Sequence, residues 1–273
     1  VRAGLPFAII SLALTIAFSI DTVMLSWFVA DAVVGWYNVA YGLTQSFVGL
    51  LIGFSFAMVP TLSRVYAHDQ AAVARWHSRT TRFIALTGLP VAVGGMLVAD
   101  PLVRLLYTPD IQPAAGALAI LVWDIPLLMY AAACGNVTTI IGEERAAARI
   151  NTINALANIG LNIVLIPIYG MLGAAVVTVV TDLLATAQFE HVLRRRLGVK
   201  PPWNHLGRVA LAATMMGTGL VVVGDQPVVA LITGGGLAYL VLAVLLRAIG
   251  SEERALLARV ATAGLAILRR RMR

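Results

Sequence analysis

Charge is scarce in this chain. Of its 273 residues only 12% are Asp, Glu, Lys or Arg, where a soluble domain carries about 25%, and Lys200 is the sole lysine among twenty basic residues. With 60% hydrophobic residues and a mean hydropathy of +0.88, a water-soluble globule is excluded. Cysteine is scarcer still: Cys134 stands alone, so there is no disulfide framework. Alternating apolar and polar residues are missing too, which leaves helices as the spanning elements. There is no Gly-rich phosphate loop. His68, His77, His191 and His205 lack metal-site spacing, and no Ser or Cys nucleophile has a base nearby in sequence. These absences favour a membrane transporter over a membrane enzyme.

What the chain does have is eight long apolar stretches, at 5–29, 39–62, 83–99, 114–141, 150–166, 171–189, 206–223 and 228–246. Each is long enough, or nearly so, to cross a hydrocarbon core as a helix of about 20 residues. The first is too long for a signal-peptide core and lacks a cleavage site, so it is read as a retained helix. Nineteen of the twenty basic residues fall before the first stretch, after the last, or in alternate gaps between them, counting Arg208 at the edge of its gap. The opposite gaps hold only Arg104. By the positive-inside rule the basic side is cytoplasmic, both termini are inside and the crossings are even in number. The net charge of +7 reflects topology signals and anionic-lipid contacts at helix ends, and no nucleic acid is expected as a partner. The chain opens on Val1 rather than Met, which points to a non-standard start or to a piece of something longer.

The cytoplasmic gap 63–82 is expected to form a surface helix with Val65, Val73 and Trp76 toward lipid. The tail 250–273 repeats Leu256, Leu257, Val260, Ile267 and Leu268 at helical spacing and ends in RRRMR, the signature of an interfacial helix. Trp27, Trp36 and Tyr37 bracket the first outer gap and Trp203 marks an inner boundary, as aromatic rings at headgroup depth do.

Three acids lie inside apolar stretches and need a reason, because a charge there costs about 2.5 to 3.5 kcal/mol. Asp21 either takes up a proton or cation, pairs with an Arg on another helix, or fixes packing through Thr or Asn partners. Asp124, beside Pro126, is a candidate gate or cavity residue. Asp182 is read as a packing residue. Asn151, Asn154, Asn158 and Asn162 recur at spacings that place them on one helix face, where they either line a hydrophilic path or bond across helices. Gly49 with Gly53, and Gly234 to Gly236, are close-packing signals.

Read in order, the phrases LPF, IDTVML, VGWYNVAY, MVPTLSR, GLPVA, DPLVRLLYTPDI, GN at 135–136, GEER, IN at 150–151 and IPIYGMLGAAVVT resemble the carboxy-terminal half of the Wzx-type polysaccharide flippases. These belong to the MATE-like exporter superfamily, with the lipid II flippase and the multidrug extruders. The resemblance spans about residues 4–198 and implies an all-α, polytopic membrane protein of eight helices. Residues 1–198 would form the second six-helix lobe, 199–249 two additional helices and 250–273 a basic cytoplasmic tail. It further implies a bacterial inner-membrane flippase for undecaprenyl-diphosphate-linked oligosaccharide, without a cofactor and with the driving force open between H+, Na+ and membrane potential. The missing first lobe would be supplied in cis or by a partner half in trans. Carried over by position, Asp21 matches the acid of the second lobe's opening motif. Pro60, Pro90, Asn136, Asn151, Asn162, Pro167, Tyr169, Gly170 and Gly173 match recurrent, mostly structural positions. Ser19 departs from the pattern, since relatives often carry Arg there. A drug extruder of the same superfamily is the alternative; a glycan polymerase or ligase fits less well, because the longest outer gap is only 100–113.

Overall fold

The computed structural model describes residues 5–224 and 226–250, apart from the side chains of 5–7, 13–14, 16–19, 50–61, 65 and 67–68. The tail after 250, and with it the expected interfacial helix, lies outside the described residues, as do the side chains of Ser19, Pro60 and Val65.

Among the described residues eight helices follow one another: α1 (Leu5–Phe28), α2 (Asp31–His68), α3 (Gln70–Leu106), α4 (Ala114–Leu121), α5 (Asp124–Ile140), α6 (Glu144–Leu197), α7 (Trp203–Val223) and α8 (Val228–Leu245), with a short 3-10 turn at Pro109–Ile111. Among the described residues there is no strand. The fold is all-α, and every apolar stretch lies within helix for most of its length. Helices and spans do not correspond one to one. Among the described residues α3, α6, α7 and α8 are each long and apolar enough to cross a membrane, and α4 with α5 forms a broken fifth, bent by 40°. The break at Val122 and Trp123 has a cause in Pro126, which lacks the N–H that would bond the Val122 carbonyl and whose ring would press on it. The stretch 114–141 is therefore two helices, and Pro126 sits in the first turn of the second, where a missing N–H costs little.

Helix α6 is the opposite case, two stretches joined in one element. At 54 residues it would extend about 81 Å if straight. Asn154 and Asp182 would then be about 42 Å apart, yet their side chains hydrogen-bond at 3.0 Å. The helix doubles back at Gly170, whose φ of 57° and ψ of −134° no side chain tolerates well. Gly173 lets the two arms close, because a Cβ there would run into the Leu165 carbonyl.

The gap 63–82 corrects the expectation of a surface helix. It is the end of α2 and the start of α3, turned at Asp69, whose side chain accepts the Ala72 N–H at 2.9 Å as an N-cap. Val73 is fully buried with Cys134, Val137, Ile150, Phe189 and Leu193, and Trp76 is half-buried against the core. That cluster consolidates one end of the molecule. The main core gathers Met24 and Leu25 of α1, Tyr37 and Val48 of α2, Val103 of α3, Leu118 and Leu121 of α4 and Ala174 of α6. The last two helices pack chiefly on α3. Gly217 of α7 lies so close to Val93 that a Cβ would stand 2.8 Å from its Cγ1, and the Tyr239 hydroxyl donates to the Leu86 carbonyl at 2.6 Å.

Candidate functional site

Gly170 brings the two arms of α6 together against α1, and a polar site forms where they meet. Asp21 of α1 is only 3% exposed. Its Oδ1 accepts from Asn162 Nδ2 at 2.6 Å, and its Oδ2 accepts from Thr178 Oγ1 at 2.7 Å and from the Tyr37 hydroxyl at 3.0 Å. Asn162 also donates to Asn158 Oδ1 at 2.9 Å, and the Thr178 hydroxyl stands 3.0 Å from the Ala174 carbonyl. One carboxylate thus gathers α1, α2 and both arms of α6. All its donors are neutral.

A second polar group lies on the same arms. Asn154 donates to Asp182, and the Asp182 and Asp124 carboxyls adjoin within hydrogen-bond reach. Asp124, at the start of α5 just past the α4 break, is 1% exposed. No Lys, Arg or His among the described residues partners Asp21, Asp124 or Asp182. The Arg-pairing reading of Asp21 therefore gives way to one with Thr, Asn and Tyr partners.

Three buried acceptors in these two groups are without a partner among the described residues: Asp124 Oδ1, Asn154 Oδ1 and Asn162 Oδ1. Together with Asp21, Asn158, Thr178 and the Ala174 carbonyl, they make an interior rich in oxygen ligands and poor in positive charge. Such a donor set suits a proton or a small hard cation.

Of the four Asn residues expected on one face, three join the site. Asn151 lies one turn too far toward the end of its arm and donates only to the Ala147 carbonyl at 2.9 Å. Asn136 of α5 is half-buried and takes no part in either group. Tyr37, expected at headgroup depth, is instead fully buried, stacked on Tyr41 at 5.9 Å. Sequence reasoning missed Thr178, although it ends the phrase IPIYGMLGAAVVT and stands as far after Gly170 as Asn162 stands before it.

Near the basic end lies a further cluster that residue spacing concealed. His77 of α3, Cys134 of α5 and Glu190 of α6 place one ligand atom each within 4.8 Å of one another. Glu190 Oε2 already receives the Tyr130 hydroxyl at 2.6 Å and meets His77 Nε2 at 3.2 Å, while Oε1 takes Arg194 at 2.9 Å. With three donors already on its two oxygens, this carboxylate reads as a clamp between helices rather than a metal ligand. Burial raises its pKa, but the His77, Tyr130 and Arg194 donors outweigh that and hold it at about 2.

Known proteins resemble this chain in sequence and in fold. A family model described as "Polysaccharide biosynthesis protein" matches residues 1–115. Two curated proteins of Haloferax volcanii align with 72% of the chain: a probable flippase AglR at 28% identity and a probable low-salt glycan biosynthesis flippase Agl15 at 22%. The resemblance to Wzx-type flippases is thereby shown. The solved structure of the lipid II flippase MurJ, in an inward closed conformation, shares the fold over 89% of this chain with a TM-score of 0.74 at 15% identity. The chain spans about 42% of the length of the curated relatives it matches and 52% of the MurJ chain. The curated relatives are named as flippases, and the present chain is a multi-pass membrane protein.

Proposed function

We propose that this chain is the ion-coupled half of a flippase that carries undecaprenyl-diphosphate-linked oligosaccharide across a bacterial inner membrane, with both ends cytoplasmic. The observation that carries the reading is Asp21, a buried carboxylate joined to three segments by neutral donors alone. Ionised and alone, such a group carries the cost of a charge in hydrocarbon. One proton or one sodium ion removes it. Because Asp21 lies on α1 and its partners on α2 and both arms of α6, the ion biases how those segments pack. A ligand that stabilises one packing over another is what an alternating-access cycle requires.

Glycan-linked cargo is inferred from the relatives, which are named as flippases of glycan biosynthesis or of lipid II. The described interior offers acids and amides but no guanidinium for a diphosphate. Those contacts are assigned to a first lobe, supplied in cis or by a partner half in trans. The orientation is supported by Arg75, Arg79, Arg82, Lys200, Arg208 and Arg247, which line adjoining clefts at one end, while Arg104 pairs with Asp100 at 2.8 Å.

The test is surface-glycan display by a strain that lacks the gene and is complemented with its complete reading frame. Asp21→Asn is expected to abolish display at unchanged protein level. Dissipating the sodium gradient or the proton gradient separately identifies the ion. Normal export by Asp21→Asn across both gradients would overturn the coupling role, and undiminished glycan in the deletion strain would overturn the cargo.

A further inference from the structure

At the junction of α3, α7 and the end of α8 lies a cleft of about 530 Å³ lined by Arg82, Trp203, Asn204, His205, Arg208 and Arg247 among others. A second, of about 510 Å³, shares Arg82 and adds Arg75, Arg79 and Lys200. Among the described residues no Asp or Glu lines either. Among the described residues Arg82, Arg208 and Arg247 form no salt bridge. Arg75, in the second cleft, pairs with Asp69 at 2.9 Å, whereas the like charges of Arg82, Arg208 and Arg247 repel one another, and an anion in the first cleft reverses the sign of that interaction.

The backbone is arranged to hold these cations in place. Arg208 Nη1 donates to the Arg247 carbonyl at 3.2 Å, and the His205 ring meets the Arg82 carbonyl at 3.2 Å. Arg247 has a φ of 54°, the only positive value among the described non-glycine residues. It closes the end of α8 in the position where glycine is usual, its N–H bonding the Val244 carbonyl at 3.1 Å and the Ala248 N–H bonding that of Ala243 at 2.8 Å. Glycine would serve the turn without strain, and what Arg adds is a cation aimed at the cleft. Trp203, 67% exposed, supplies at its rim the kind of ring that rests among lipid headgroups.

We propose that this cleft is a binding site for the phosphate of an anionic lipid, the guanidinium groups taking the phosphate oxygens and Trp203 lying against the glycerol and upper acyl region. Basic pockets between membrane helices suit such headgroups, and planar guanidinium forks match phosphate geometry. The inference does not rest on the flippase reading. The same phosphate chemistry is carried by a bulk phospholipid and by a prenyl diphosphate, and the experiment separates them.

The full chain is reconstituted in phosphatidylcholine nanodiscs, and the quenching of Trp203, taken as the difference between wild type and Trp203→Phe, is followed as brominated phosphatidylglycerol or brominated phosphatidylcholine is added. Phosphatidylglycerol, the anionic one of the two, is expected to quench at a several-fold lower mole fraction. Arg82→Gln, Arg208→Gln and Arg247→Gln should each raise the fraction needed by about fivefold, and Arg→Lys should recover part of the loss. Release of the quencher by stoichiometric undecaprenyl diphosphate identifies the prenyl diphosphate as the preferred ligand; release only by excess phosphatidylglycerol identifies bulk lipid. Arg247→Gly relieves the backbone strain, so a stable variant with lost quenching separates binding from folding. Equal quenching by the two brominated lipids, or an unchanged response in a normally folded triple Gln variant, overturns the proposal.

Discussion

Asn162 and Thr178 stand eight residues to either side of Gly170, and both donate to the carboxylate of Asp21, at 2.6 and 2.7 Å. In an unbroken helix they would be about 24 Å apart. The site therefore exists only because the chain reverses at Gly170. Turn and site are one device, in which the glycine supplies the geometry and the carboxylate gathers what the geometry delivers.

Gly170→Ala is expected to destabilise the protein by about 1 to 3 kcal/mol, because its backbone angles lie in a region that is essentially glycine's alone. Thermal unfolding in detergent micelles reads this directly. Gly219→Ala is the control: it lies inside α7 with open space around it, and should leave the midpoint unchanged or raise it. Equal midpoints for Gly170→Ala and wild type would mean that the turn tolerates a side chain.

At Asp21 the two obvious substitutions differ in kind. Ala leaves the donors of Tyr37, Asn162 and Thr178 without an acceptor, a loss of about 1 to 3 kcal/mol for each group left unsatisfied. Asn is nearly isosteric, and rotation of the Asn162 and Asn158 amides lets the presently unpartnered Asn162 Oδ1 accept from it. Asp21→Asn should therefore fold. It should also lose any stabilisation by a bound cation, which for wild type amounts to about 2.7 kcal/mol at a hundred times the dissociation constant. Melting with sodium against choline, at several pH values, compares the two. A sodium- or pH-dependent gain retained in the Asn variant would place the ion elsewhere.

The parts of this arrangement legible in the sequence are those carried by local periodicity. Asn154, Asn158 and Asn162 read as one face because a helix repeats every 3.6 residues, and all three are buried. Apolar length gave the helices, but not their breaks: Pro126 and Gly170 act through carbonyl clashes and backbone angles that a hydropathy pattern does not encode. Tyr37 and Thr178 reach Asp21 across 16 and 157 residues, and nothing local marks either one. Val73 was expected toward lipid for a related reason. An apolar residue on an amphipathic helix has the same sequence signature whether lipid or Cys134 and Phe189 cover it.

Glu190 lies just beyond the stretch 171–189, at the basic end. Although burial raises it, the donors on His77, Tyr130 and Arg194 hold its carboxyl at about 2, below the ordinary 4.5. A carboxylate so lowered stabilises the fold fully above its unfolded value, and that contribution fades as pH falls from about 4.5 toward 2. Wild type should thus be more stable than Glu190→Gln at neutral pH, with the difference shrinking through that window. The group is partly exposed, so the effect is modest and salt weakens it. A difference independent of pH would show that the clamp works through hydrogen bonds alone.

Asp124 and Asp182 pose a different question, since two carboxyls adjoin with no cation among their described partners. Two ionised carboxylates so placed repel each other, whereas an amide in place of one supplies a permanent N–H donor. Asp124→Asn is therefore expected to keep or improve stability, with its new N–H on Asp182. Asp182→Ala is the contrary case. It removes the acceptor of Asn154, bonded at 3.0 Å, and leaves Asp124 buried without its neighbour, a loss of about 1 to 3 kcal/mol. A double-mutant cycle between the positions should yield a coupling of about 0.5 to 3 kcal/mol, as for residues in one network. If Asp124→Asn is as harmful as Asp182→Ala, the charge on Asp124 itself is needed, and the pair belongs with Asp21 as part of the ion's binding site rather than with the packing of α5 on α6.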